Sequence, residues 1–228
     1  MAFTIEASDQ WRDAYPGASI GLLALQGIQN ADPNAALPAL ALQVQEQITS
    51  QYAGQTRTQL KALPTLRIFS DYYSQFDKTY HVQLQLESVI FKGKAITGPS
   101  PIVLAMFIAE LKNLLLTAAH DIAAVKGNLG VEVSNGAERY TLLNGRDQAL
   151  KSGDMYIHDE EGILSSIIYG PDLRSRIKPD TQAVIFTVYA PPGIAAEHVG
   201  RHLDNLEANV RQFSPEARLE TKRILSAS

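Results

Sequence analysis

The texture of this chain shifts near residue 116, from mainly helical to mainly β-like, and that shift limits what it can fold into. Before it, apolar residues recur at helical spacing: Leu66, Phe69, Tyr73 and Phe76 lie on one helix face. After it, short β-like pieces alternate with turn signals such as Asn135-Gly136 and Asn144-Gly145. A helical N-terminal half, a mixed β-sheet and a closing helix predict an α+β domain.

Individual elements follow from the same reading. Residues 18–27 form a buried strand after the turn Tyr15-Pro16-Gly17. A loop is expected at 30–34, then helices at 35–52, 64–76 and 79–91; alternation at Tyr80, Val82, Leu84 and Leu86 also allows a strand in the last. Ser100-Pro101 opens a helix over 101–116, with Ser100 as cap and Pro101 at the first helical position. Strands are expected at 130–133, 139–143, 154–158, 162–169 and 183–189, and a final amphipathic helix at 195–213. The helix from Pro101 is expected to pack on one sheet that holds both 162–169 and 183–189. The whole chain, 1–228, is expected to be a single domain: a largely helical part over 1–96, a core over 97–214 and a tail over 215–228.

Composition narrows the function classes. With 45% apolar residues the chain can bury a sizeable core. No apolar run reaches the roughly 18 residues a membrane span needs, and the N-terminal MAFTIEASDQW lacks the order of a signal peptide. Cysteine is absent, which removes disulfides, thiolate nucleophiles and cysteine metal sites. A cytoplasmic location is the expectation. Net charge is −4, so any nucleic-acid contact must use a local basic patch. Arg174, Arg176 and Lys178 form such a cluster in a turn-rich segment.

No P-loop, GxGxxG, HExxH or GxSxG occurs, and no cofactor is expected. His198 and His202 have i,i+4 spacing but no third ligand, so no metal is expected. His120-Asp121 stands where the helix hands over to the sheet, in what reads as a turn. The acidic run Asp159-Glu160-Glu161-Gly162 reads as a solvated hairpin loop. Ser165 and Ser166 put hydroxyls into an apolar strand, where a buried hydroxyl needs a backbone or ligand partner. Thr187 and Tyr189 share one face of the next strand.

The order of segments resembles the stand-alone relatives of the B3/B4 editing domain of the phenylalanyl-tRNA synthetase beta subunit. Residues 79–97 (TYHVQLQLESVIFKGKAIT) look like the helix before that domain's core. Residues 101–125 look like its helix and following turn, with Ala119, His120, Asp121 and Ile122 in the turn. Residues 130–145, 151–170 and 181–192 are similar to the strands that follow. The resemblance implies a trans-acting aminoacyl-tRNA deacylase that takes a tRNA acceptor end. It implies a pocket between the His120 turn and the strands bearing Ser166 and Thr187. His120 would be the catalytic residue, orienting water or contacting the terminal ribose, with Thr117, Asp121, Ser165, Ser166, Thr187 and Tyr189 binding substrate. Arg174, Arg176 and Lys178 would contact RNA. Family positions that are Asp and Asn on the core helix match Leu104 and Phe107 here, the family His matches Ala118, and the family pocket Glu matches Thr187. The small pair that admits a side chain falls near Ser166-Ile167. These departures point to a pocket for a small or polar amino acid. A non-catalytic module that binds an amino acid, RNA end or protein is the alternative reading.

Overall fold

The computed structural model describes residues 4–30 and 36–227. Nearly all of the loop expected at 30–34, and the helix start expected near 35, lie outside them. In chain order the elements are β1 (Ile5–Ala7), α1 (Asp9–Ala14), β2 (Ser19–Gln26), α2 (Ala36–Gln51), α3 (Arg57–Lys61), α4 (Pro64–Ser74), α5 (His81–Lys92) and α6 (Pro101–Asn113). Then come β3 (Leu116–Asp121), a 3-10 turn (Ile122–Ala124), β4 (Leu129–Val133), β5 (Arg139–Thr141), β6 (Asp147–Ala149), β7 (Met155–His158), β8 (Ile163–Ser166) and β9 (Gly170–Pro171). The chain closes with β10 (Ala183–Ala190), α7 (Ala196–Phe213) and β11 (Arg218–Ser226). The α+β class read from the sequence is the class observed.

The strands form two larger sheets. One has the order β1-β4-β7-β8-β9, the other β11-β2-β10-β3, and β5 and β6 make a small hairpin. β8 and β10 therefore lie in different sheets, not in the single sheet expected. The error has a simple cause: two apolar strands that face each other across a core bury the same residues as two that pair. The Ser165 and Tyr189 hydroxyls meet across that core at 2.8 Å.

Helix α7 covers the other face of the β2-β10-β3 sheet. A Cβ on Gly21 would stand 2.7 Å from Val199 Cγ1 and 3.3 Å from Leu203 Cδ2, so only glycine lets the helix approach this closely. Val199, Leu203, Leu206 and Val210 are buried beneath it. In the β10–β3 register Thr117 lies opposite Val188 and Ala118 opposite Thr187. Thr117 therefore faces α7, while Ala118, His120, Thr187 and Tyr189 face the other sheet.

Helix α6 is shorter than the 101–116 expected. Leu114 takes a left-handed conformation (φ 58°) at its C-cap, and the chain reverses there. The residues after it form a strand, so His120 and Asp121 end β3 and do not sit in a turn. The expected tail 215–228 is also corrected: it supplies β11, an edge strand paired with β2 and bulged between Leu219 and Thr221. Its run of Arg218, Glu220, Lys222 and Arg223 disguised it, because an edge strand keeps such side chains in water.

Removing residues 215–228 should expose the flank of β2, whose residues Ser19 to Leu25 are all buried. A fall in melting temperature on the order of 10 °C, or loss of soluble protein, is expected. An unchanged melting temperature would show that β11 is dispensable.

Candidate functional site

β3 is the edge of its sheet. Its pairing with β10 alternates, so the N–H groups of Thr117, Ala119 and Asp121 point away from β10. The Asp121 N–H donates to the Ser175 carbonyl at 2.8 Å. The Thr117 N–H donates to Glu110 Oε1 at 2.7 Å. The Ala119 N–H, between them, is left at the free edge.

A cleft of about 490 Å³ opens along this edge. Its floor is Thr117, Ala118 and Ala119; Val103, Met106 and Phe107 of α6 form one wall, and Arg176 stands at the mouth. Two unpaired polar atoms belong to its lining. Glu110 is 1% exposed, and its Oε2 has no hydrogen-bond partner. Gln85 Oε1 on α5 is buried and likewise unpaired. Among the described residues no lysine or arginine pairs with Glu110. Burial pushes its carboxyl up to about 8, with the Thr117 N–H acting in the opposite direction. His81, also in the lining, is pulled down to about 4 by burial and is neutral at pH 7.

Sequence reasoning passed over Glu110 and Gln85. One signal was present: Glu110 is a carboxylate placed within an otherwise apolar helix, seven residues before a strand it can bond.

Thr117 lines the cleft, yet its hydroxyl turns to α7, where Oγ1 lies 2.7 Å from His202 Nε2. The Asn113 amide nitrogen donates to the Ala109 carbonyl and stands 3.1 Å from His202 Nδ1. An amide nitrogen cannot accept, so Nδ1 accepts and the ring proton sits on Nε2. The imidazole therefore donates to Thr117 and does not activate it as a nucleophile. His202 is thereby occupied, and among the described residues no group of three or more His, Asp or Glu is placed to hold a metal.

His120, Ser165, Ser166, Thr187 and Tyr189 gather between the sheets, each at most 1% exposed. Ser165 bonds Tyr189, and Ser166 Oγ accepts the Tyr169 N–H at 3.0 Å. Ser175 donates to Asp172, so the 2.7 Å contact with His120 Nδ1 requires His120 to donate. That leaves Nε2 of His120 as a bare, unpaired acceptor, and burial holds the ring down at about 3. The Thr187 hydroxyl is unpaired too. Thr187 stands directly opposite Ala118 of the cleft floor. Asp121 caps the 3-10 turn through Ala123 and accepts from the Thr181 hydroxyl at 2.8 Å. The sequence-derived set is thus split: Thr117 turns to α7, and the others except Asp121 turn to the opposite sheet.

The basic cluster is split as well. Arg174 turns inward to Asp159, at 2.9 Å, and is flanked by Glu161 and Asp172. It also donates to the Ala124 carbonyl. Asp159 is 3% exposed and accepts from the N–H groups of Lys126, Glu161 and Gly162. The acidic run is therefore not a solvated loop at Asp159; that carboxylate organises three loops around one guanidinium. Arg176 is exposed and Lys178 half-buried. Arg174→Ala should strand the buried Asp159 charge and cost roughly 3 kcal/mol in urea unfolding. Arg176→Ala should cost less than about 0.5 kcal/mol. Equal costs would contradict the assignment.

Residues 108–216 match the family model described as B3/4 domain. No curated protein matches. Among solved structures, an N-terminal fragment of the phenylalanyl-tRNA synthetase beta-subunit from Pyrococcus horikoshii shares the fold, with a TM-score of 0.52 at 12% identity. The match covers 97% of this chain and 54% of that fragment, so the chain spans about half the fragment's length. No helix among the described residues is long and apolar enough to cross a membrane. The matched core, residues 108–216, and the shared fold support a B3/B4-like domain in this chain.

Proposed function

We propose that the cleft along β3 binds the aminoacylated 3′ end of a tRNA and that the protein hydrolyses the aminoacyl ester in trans. The observation that carries this reading is the cleft itself. Its floor, Thr117–Ala119, and Glu110 fall within the matched B3/4 segment, while His81, Gln85 and the α6 wall precede it, and its volume falls in the range of small-ligand sites. Phe107 and Ala118, at two positions where the family resemblance expects polar site residues, both line it. The solved neighbour's name supplies the connection to tRNA.

An aminoacyl ester is labile, so positioning one water and polarising the carbonyl suffices. The outward N–H of Ala119 is a fixed donor for that purpose. RNA contact falls to Arg176 and Lys178, because Arg174 is already neutralised. His120 retains the catalytic role proposed for it only if its bare Nε2 reaches water, so His120→Asn is assayed alongside. The walls are mostly apolar, so the substrate panel spans apolar as well as small and polar amino acids. The module reading is favoured by one feature: neither His120 nor His202 has a proton affinity suited to a base near pH 7.

Deacylation of tRNAs charged with Ala, Ser, Thr, Val, Phe or Tyr decides between the two. The parent should cleave at least one well above background. Met106→Trp, which fills the cleft from α6, should slow that cleavage at least about 10-fold with circular dichroism unchanged. Arg176→Ala should reduce the log–log salt slope of tRNA binding by about 1. Binding without cleavage across the panel would replace the hydrolase by a binding module. Full activity in Met106→Trp would move the site elsewhere.

A further inference from the structure

Two residues that line the cleft each carry a buried polar atom with no hydrogen-bond partner among the described residues. Glu110 Oε1 is spent on the Thr117 N–H, which fixes the carboxyl plane and leaves Oε2 free. Gln85 of α5 also lines the cleft, and its amide oxygen, an acceptor, is buried without a partner. An unsatisfied buried polar atom costs stability. Two of them lining one cleft mark a place where a ligand supplies the missing partners.

The surroundings of Glu110 determine what it offers. Tyr73 of α4 and Tyr80 ahead of α5 are neutral phenols whose ionisation burial strongly opposes. His81 of α5 and His202 of α7 are held neutral by burial. Arg176 is the cation of the cleft lining, exposed at its mouth and unpaired with Glu110. A carboxyl in such a setting keeps its proton near neutral pH and acts as a donor.

We propose that Glu110 and Gln85 together read an α-amino ester: Glu110 Oε2 donates its proton in a hydrogen bond to the ester carbonyl oxygen, and Gln85 Oε1 accepts from the free α-amino group. This rests on the deacylase reading for the identity of the ester, but it makes a separate claim. The site takes amino-acid esters with a free amine and refuses N-acylated ones, peptidyl esters included. Acylation leaves one N–H but removes the ammonium charge and its other hydrogens, so the charge-assisted bond to the Gln85 oxygen is lost and the acyl group must be accommodated beside it.

The test uses 3′-deoxy-3′-aminoacylamino-adenosines carrying Ala, Thr, Val or Phe, each with a free or an acetylated amine. These amides bind without being cleaved. The parent should bind at least one free-amine probe at least 10-fold more tightly than its acetylated form, roughly one hydrogen bond's worth. Gln85→Met should abolish that preference. Glu110→Leu should weaken the free-amine probe, whereas Glu110→Gln, which can still both accept from Thr117 and donate to ligand, should hold it. For a donor titrating near 8, the parent's affinity relative to Glu110→Gln should fall about 30-fold between pH 7 and pH 9.5. Carbon-13 NMR of the glutamate carboxyls reads that titration with no ligand present and assigns it by its loss in Glu110→Gln. A Glu110 carboxyl ionising near 4.5, equal binding of free and acetylated probes, or no binding of any probe would overturn the proposal. Preferential probe binding without turnover of any charged tRNA would sink the hydrolase alone. Turnover that ignores N-acetylation would sink this inference and leave the hydrolase standing.

Discussion

The bond from the Thr117 N–H to Glu110 Oε1 is the contact on which the site depends. β3 is an edge strand, yet its residues are buried throughout. A buried edge leaves every second N–H without a sheet partner, and each must be satisfied or carry a penalty. The chain satisfies Thr117 with a side chain from the preceding helix and Asp121 with the Ser175 carbonyl. The first solution requires α6 to stop within one turn of Glu110. The left-handed Leu114 accomplishes this by reversing the chain so that β3 runs back past the carboxyl. The result is a rigid helix–strand corner with one N–H left over at Ala119, and the cleft forms there.

Behind the corner, two sheets and two helices hold β3 in place. Gly21 lets α7 press directly on the sheet, and His202 reaches from α7 to the Thr117 hydroxyl. On the opposite face the polar groups are mostly paired among themselves: Ser165 with Tyr189, His120 with Ser175, and Ser175 with Asp172. Arg174 and Asp159 tie the surrounding loops together from outside. Most polar groups of this region thus hold structure. His120 Nε2 and the Thr187 hydroxyl are unpaired between the sheets, and Glu110 Oε2 and Gln85 Oε1 are the unpaired atoms on residues that line the cleft.

Much of the fold was legible in the sequence because the helices carry clear periods and clear ends. Ser100-Pro101 marks the start of α6, and Val199, Leu203, Leu206 and Val210 mark the buried face of α7. The sheet arrangement was not legible, since strand patterns show which faces are buried and not which edges pair. β11 was hidden by its charges. Most of the site was hidden for a related reason. Hydroxyls in apolar strands point to buried bonding, and here that bonding is largely internal. What marks Glu110 is a buried unpaired oxygen on a residue that lines the cleft, and only three-dimensional geometry reveals that combination. The resemblance to the B3/B4 family points to β3 through Ala118, which lines the cleft, whereas Glu110 and Gln85 of that lining come from helices α6 and α5.

Ligand is expected to bind along the edge of β3. A crystal structure of the protein with a 3′-deoxy-3′-aminoacylamino-adenosine measures this most directly. The aminoacyl group should lie over Thr117–Ala119, within hydrogen-bond distance of Glu110 Oε2. Ligand seated between the sheets at Ser165 and Tyr189, or in the separate groove lined by Glu6, Asn128 and Glu132, would contradict it.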